Sequence, residues 1–128
     1  MALVTRDQLL SFGTKRRFKL VPIAGLGEVR IRSLKESERS AYEAARFTDG
    51  EVDEARTLDS KARLIALCVC DEDGETVLTS EDVVALGDKD SAFTGLLFDE
   101  CWQHCGFSRK DIETIVGNLK TIPDADSP

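Results

Sequence analysis

Apolar and polar positions alternate over two short stretches near the N-terminus, then recur every three or four residues along most of the remaining chain. Phe18, Leu20 and Pro22 fall on one side of a first extended segment, and Val29 and Ile31 on one side of a second. Period-two spacing belongs to a half-buried sheet, so these segments predict a β-hairpin. Ala24-Gly25-Leu26-Gly27 supplies its turn. Pro22 has no amide proton for a neighbouring strand and puts the first strand at an edge or near its end. Ser33 stands three residues before Glu36, the spacing of a capping box. It predicts a helix running to about Phe47, with Glu36–Arg39 and Glu43–Arg46 paired at i,i+3.

Ahead of the hairpin, Thr5 and Gln8 have capping-box spacing and predict a short helix to Phe12, with Leu9, Leu10 and Phe12 available for packing. After Asp49-Gly50 breaks the chain, Val52, Ala55, Leu58, Ala62, Ile65, Ala66 and Val69 write a core-facing helical stripe over about 52–69. Asp71 to Glu75 reads as a turn and Thr76 to Leu78 as a short extended piece. Thr79 or Ser80 then caps a brief helix closed by Gly87. From Ser91 to Cys105, Phe93, Leu97, Cys101 and Cys105 share one side of a helix, while Leu96, Phe98 and Trp102 carry the apolar surface well around it. Such a helix is buried on two sides or covered in part by another chain. Gly106 ends it. Ser108 and Asp111 start the last helix, whose stripe is Ile112, Ile115, Val116 and Leu119.

The elements predict a mainly α fold with a small N-terminal β-hairpin, an α+β domain of about five helices spanning residues 1–122. The remaining segment, 123–128, lacks apolar periodicity and is expected to be disordered. A chain of 128 residues is one domain and buries roughly two-thirds of its unfolded surface. With only eight aromatic residues, six Phe, one Tyr and one Trp, the core must be mostly aliphatic. The net charge of −7 argues against nucleic acid as a partner, because phosphate backbones need clustered cations. The one basic cluster, Lys15, Arg16, Arg17 and Lys19 with Arg30 and Arg32, reads as a solvated hairpin face rather than a phosphate site. Residues 1–10 lack the apolar core of an export signal, and the longest apolar run, Leu64 to Cys70, is too short to span a bilayer. These features predict a cytoplasmic protein without a membrane partner, in which the four cysteines are free thiols.

The candidate chemistry does not assemble. Cys68, Cys70, Cys101, Cys105 and His104 invite zinc, but their spacings sit inside apolar helices instead of on the knuckle turns that zinc sites favour. Asp71-x-Asp73-Gly74 imitates part of a calcium loop. With Gly74 at position six, Val69 and Ser80 occupy positions that require carboxylates. His104 has no nucleophile motif around it, and Gly25-Leu26-Gly27 sits in a hairpin turn rather than between strand and helix. No catalytic residue, cofactor or metal site is expected, and the protein reads as a non-enzyme.

The run VPIAGLGEVRIRSLKESERSAYEAAR resembles the tail assembly chaperones of long-tailed, siphovirus-type bacteriophages. Those proteins commonly begin with a hairpin of the form xPxLGxVxVRxL and a polar helix bearing sExxxxE. The matching positions are Pro22, Leu26, Gly27, Val29, Ile31, Arg32, Leu34, Ser37, Glu38 and Glu43. A second block, an Asp-rich turn followed by SxEDVxxLG, is similar at Asp71, Gly74, Ser80, Glu81, Asp82, Val83, Leu86 and Gly87. The resemblance covers about Phe18 to Leu119. It implies a protein that coats and solubilises the tape measure protein, helps recruit tail-tube subunits, and is absent from the mature virion. Implied partners are the tape measure protein, further copies in an open helical array, a frameshifted longer form of the same chain, and the major tail protein. Phe93, Leu97, Phe98, Trp102, Ile112, Ile115, Val116 and Leu119 are the candidate surfaces for such contacts. A head–tail adaptor is the neighbouring alternative, and a cysteine-based metal-binding regulator a more distant one.

Overall fold

The computed structural model describes residues 2–54 and 58–119. The hairpin forms where alternation places it, with its inward face shifted by one residue. β1 (Phe18–Ile23) pairs antiparallel with β2 (Gly27–Arg32), Val21 opposite Val29 and Lys19 opposite Ile31. Lys19, Val21 and Ile23 therefore share the face of Val29 and Ile31, and it is Val21 and Ile31 that are buried. Phe18, Leu20 and Pro22, expected on the half-buried side, form the outer face, where Leu20 is 55% exposed. Both phases of FKLVPI are apolar, so alternation alone does not choose between them. The three-residue turn does, because it locks the register against β2. Within that turn Gly25 has φ 84°, a conformation that suits glycine.

Several other boundaries differ from expectation. The stripe from Val52 is not one helix. Asp49 and Gly50, both at positive φ, close a two-residue hairpin between β3 (Phe47–Thr48) and β4 (Glu51–Val52). Val52 and Leu58 are exposed, and Ala55 lies outside the described residues. α3 (Ser60–Cys68) is the true core helix, with Leu64, Ile65 and Cys68 fully buried. The chain then turns extended at β5 (Val69–Cys70), which pairs with β2 to complete a sheet of order β1-β2-β5. An open edge on β2 competes successfully with one more helical residue, and Thr76 adds a bridge to Cys70.

The expected Ser33–Glu36 capping box is absent as well. Ser33 is buried at the end of β2, where its Oγ accepts the Arg17 N–H at 2.8 Å and its own N–H donates to the Arg17 carbonyl. α2 (Glu36–Ala44) starts after Lys35, and Glu38 reaches back to the Lys35 N–H at 2.7 Å. Along α2, Arg39 pairs with Glu43 at i,i+4 instead of with Glu36.

The remaining helices follow their local signals. In α1 (Arg6–Ser11), Thr5 and Gln8 exchange side-chain and backbone hydrogen bonds. Thr79 and Asp82 do the same at the start of α4 (Ser80–Leu86). α5 (Ser91–Cys105) is opened by Asp90 and closed by Gly106 at φ 73°. α6 (Arg109–Asn118) is capped by Ser108. α3 packs on α5 and α4, while α5 also crosses β2. The core joins Val21, Ile31, Tyr42, Leu64, Cys68 and Cys101. This is an α+β domain, mainly helical, with a small antiparallel sheet near the N-terminus. The segment 123–128, expected to be disordered, lies outside the described residues.

Candidate interaction surfaces

The basic cluster is not a solvated face. Its arginines bind specific acceptors, most of them backbone carbonyls. Buried Arg32 donates through Nε to the Leu67 carbonyl at 2.9 Å and through Nη1 to the Gly74 carbonyl at 3.2 Å. Arg30 lies 3.8 Å above the Phe18 ring and donates to the carbonyls of Asp71 and Glu72. Arg16 makes a two-pronged pair with Glu38 at 2.7 and 2.8 Å, and Lys19 meets Glu100 at 2.7 Å. The Arg16 hydrogen bonds, opposed by partial burial and helped by the Lys35 N–H, lower the Glu38 pKa to about 2. The Asp-rich turn is the receptor for Arg30 and, through the Gly74 carbonyl, for Arg32. Asp71 Oδ1 accepts the Asp73 and Glu75 N–H groups, which holds the turn with its carbonyls toward the hairpin. Gly74 lies so close to Phe18 that an added Cβ would stand 3.0 Å from the ring. The two similar blocks of sequence thus meet in space.

Three of the four thiols, Cys68, Cys101 and Cys105, gather between α3 and α5. Cys68 and Cys105 sulfurs are 3.6 Å apart, whereas Cys70 sits on β5. Hydrogen bonding to Cys101 and Cys105, with burial, pushes the Cys68 thiol up, and the Cys68 hydrogen bond pulls Cys105 down. Among the described residues, no group of three His, Cys, Asp or Glu side chains could hold a metal ion. His104 Nε2 donates to the Arg17 carbonyl at 3.0 Å, while Arg17 Nη1 donates to the His104 carbonyl at 2.7 Å. Burial holds the imidazole below its ordinary pKa. Its role is to lock α5 to the start of β1.

The eight candidate contact residues divide by burial. Leu97 belongs to the core; Phe93, Phe98, Ile112, Ile115 and Leu119 are half-buried. Trp102 is 37% and Val116 54% exposed. Trp102 stacks on Phe107 at 4.3 Å and leans on Phe98, and Phe107 meets the Tyr42 ring edge-on. Arg39 covers Phe107 and Lys61 approaches Phe98, so cations flank this aromatic row. Ile112 and Ile115 of α6 lie against Gly106, whose missing Cβ makes room for them.

Two apolar features stand apart from the expected surfaces. The first is residues 2–12, where Leu9, Leu10 and Phe12, expected to be available for packing, stay exposed. Leu3, Val4, Leu9, Leu10 and Phe12 are all more than half exposed, and α1 buries no residue. The second is a groove of about 440 Å³ bounded by Glu38, Ala41 and Tyr42 of α2 and Ala45 at its end, Arg63, Ala66 and Leu67 of α3, and the stretch from Thr76 to Val83. Its signal was the set of alanines at facing helical positions, which leave space between α2 and α3. Arg63 donates to Asp59 through Nη1 at 2.8 Å, yet its buried Nε and Nη2 have no hydrogen-bond partner among the described residues. An orphaned guanidinium edge is costly and favours any acceptor brought to it.

Among the described residues, no helix is long and apolar enough to cross a membrane. Compared with known proteins, the chain matches no family model, no curated protein and no solved structure.

Proposed function

We propose that the protein is a non-catalytic tail assembly chaperone of a long-tailed bacteriophage. It covers the apolar helical surface of the tape measure protein in the host cytoplasm, helps recruit tail-tube subunits, and leaves before the virion is complete. The observation that carries this reading is the amount of apolar surface on a charged chain: Leu3, Val4, Leu9, Leu10 and Phe12 at one end, and Leu96, Trp102 and Val116 on α5 and α6. Apolar surface of this kind serves association rather than stability. Weak contacts repeated along a filament hold it by avidity, while each contact remains reversible. The hairpin and Asp-rich turn, which carry the resemblance, support the reading as its scaffold.

The test is co-expression with the product of the very long gene expected beside its own. The reading expects the long protein to stay soluble only with this chain present, and expects mass spectrometry of finished particles to find none of it. A long protein that is equally soluble alone, or stoichiometric chain in the particle, overturns it.

A further inference from the structure

We propose that Cys105 is a thiol-oxidation site: a hydroperoxide oxidises it, and Cys68, its sulfur 3.6 Å away, then closes a disulfide between the ends of α3 and α5. The site rests on the chain alone, whatever surface the protein covers.

Cys105 is half-buried, whereas Cys68, Cys70 and Cys101 are buried, so Cys105 is the thiol an oxidant reaches first. Two cations bracket it in the chain. Arg17 Nη1 donates to the carbonyl before it, His104, at 2.7 Å, and Arg39 Nη1 to the carbonyl after it, Gly106, at 3.3 Å. The thiolate is the form that reacts with a peroxide, and neighbouring guanidinium charge favours it. The Cys68 hydrogen bond lowers the Cys105 pKa, aided by the Leu34 N–H and both arginines, against burial. Cys68 is the partner because its sulfur is the neighbour, while Cys70 has left α3 for β5. Cys101 also meets Cys68 but lies one turn back in α5 with no exposed surface. Closing the gap to the roughly 2 Å of a disulfide asks for small movements. Both residues are the last of their helices, followed by extended Val69 and by Gly106 at φ 73°, where the chain is not held by further helical turns. The step balances. The Cys105 thiolate takes the terminal oxygen of the hydroperoxide, the O–O bond breaks, and the leaving alkoxide or hydroxide takes up the proton the thiol released. Cys68 then attacks the sulfenic acid sulfur, and its proton leaves with the hydroxyl as water. One peroxide is reduced and two thiols are oxidised.

The experiment treats the reduced, purified full chain with hydrogen peroxide at neutral pH and counts free thiols by alkylation and mass spectrometry. The natural chain is expected to lose two of its four thiols to a bridge within one chain, and to regain them with dithiothreitol. Cys70→Ser and Cys101→Ala keep the bridge. Cys68→Ser stops at the Cys105 sulfenic acid, which dimedone traps, and Cys105→Ser forms no bridge. Before any oxidant is added, limiting iodoacetamide should mark Cys105 about tenfold or more faster than each other cysteine. That rate, and the position of the bridge by fragment-ion sequencing, are read on the natural chain, so the test stands if a variant does not fold. A bridge through Cys70 or Cys101, a bridge that persists in Cys105→Ser, no bridge at all, or another cysteine alkylated first overturns the proposal.

Discussion

The hairpin and the N-terminal arm are neighbours in the chain and opposites in behaviour. From Arg16 to Ser33 the basic groups are committed: Arg16 to Glu38, Arg17 to His104, Lys19 to Glu100, Arg30 and Arg32 to the carbonyls of the Asp-rich turn and α3. From Ala2 to Phe12 the apolar groups are uncommitted, and α1 buries none of them. The usual association of charge with surface and of leucine with core is reversed between the two. What separates them is partners at long range. The hairpin gathers acceptors from α2, α3, α5 and the turn, whereas α1 is satisfied by its own cap and packs closely on no other described element.

If that contrast is right, substitutions in the hub should unfold the chain and substitutions in the arm should not. Arg32→Leu leaves two carbonyls and Glu38 short of a buried donor, and should cost about 3 kcal/mol in urea denaturation. Glu38→Gln weakens the pair with Arg16 and should cost about 2 kcal/mol.

The same carboxylate sets an acid limit. Its folded pKa of about 2 lies below the ordinary 4.5, so its contribution is complete above about 4.5 and lost as pH falls toward 2. His104 adds to this with the same sign. It is held neutral by burial, so stability also begins to fall below the ordinary imidazole value of 6.5. Thermal melting from pH 8 to pH 2 should show a shallow loss below 6.5 and a steeper one below 4.5. The steeper part should vanish in Glu38→Gln.

Ser33→Ala removes the oxygen that accepts the Arg17 N–H and should cost about 1 kcal/mol. At the other extreme, Leu9→Ser in the arm should change stability by less than about 0.5 kcal/mol. The comparison fails if Leu9→Ser destabilises as much as Ser33→Ala.

Features decided within a few residues were legible in advance. Thr5–Gln8 caps α1 as its spacing implies, Thr79 is the one of the two expected candidates that caps α4, and α5 runs from Ser91 to Cys105 because Asp90 and Gly106 bracket it. Features decided across the fold were not. Alternation in FKLVPI is equally good in either phase until β2 supplies the register. Ser33 had two uses for its hydroxyl, and the Arg17 backbone, sixteen residues away, took it instead of a helix end. Asp49-Gly50 was read as a break when its two positive φ values make it a hairpin turn. The groove was invisible for a related reason. It is formed by what Ala41, Ala45 and Ala66 lack, and only the packing of α2 near α3 turns small side chains into space.

The central claim is that the hub holds the fold while the arm is kept for association. Amide hydrogen exchange of the intact chain at low and at high concentration tests it most directly. Amides of 18–32 should be protected equally at both concentrations, because their hydrogen bonds belong to the monomer. Amides of 2–12 should exchange almost freely in dilute solution and become protected when the protein is concentrated. An arm already protected in the dilute monomer, or equally unprotected at high concentration, would contradict the account.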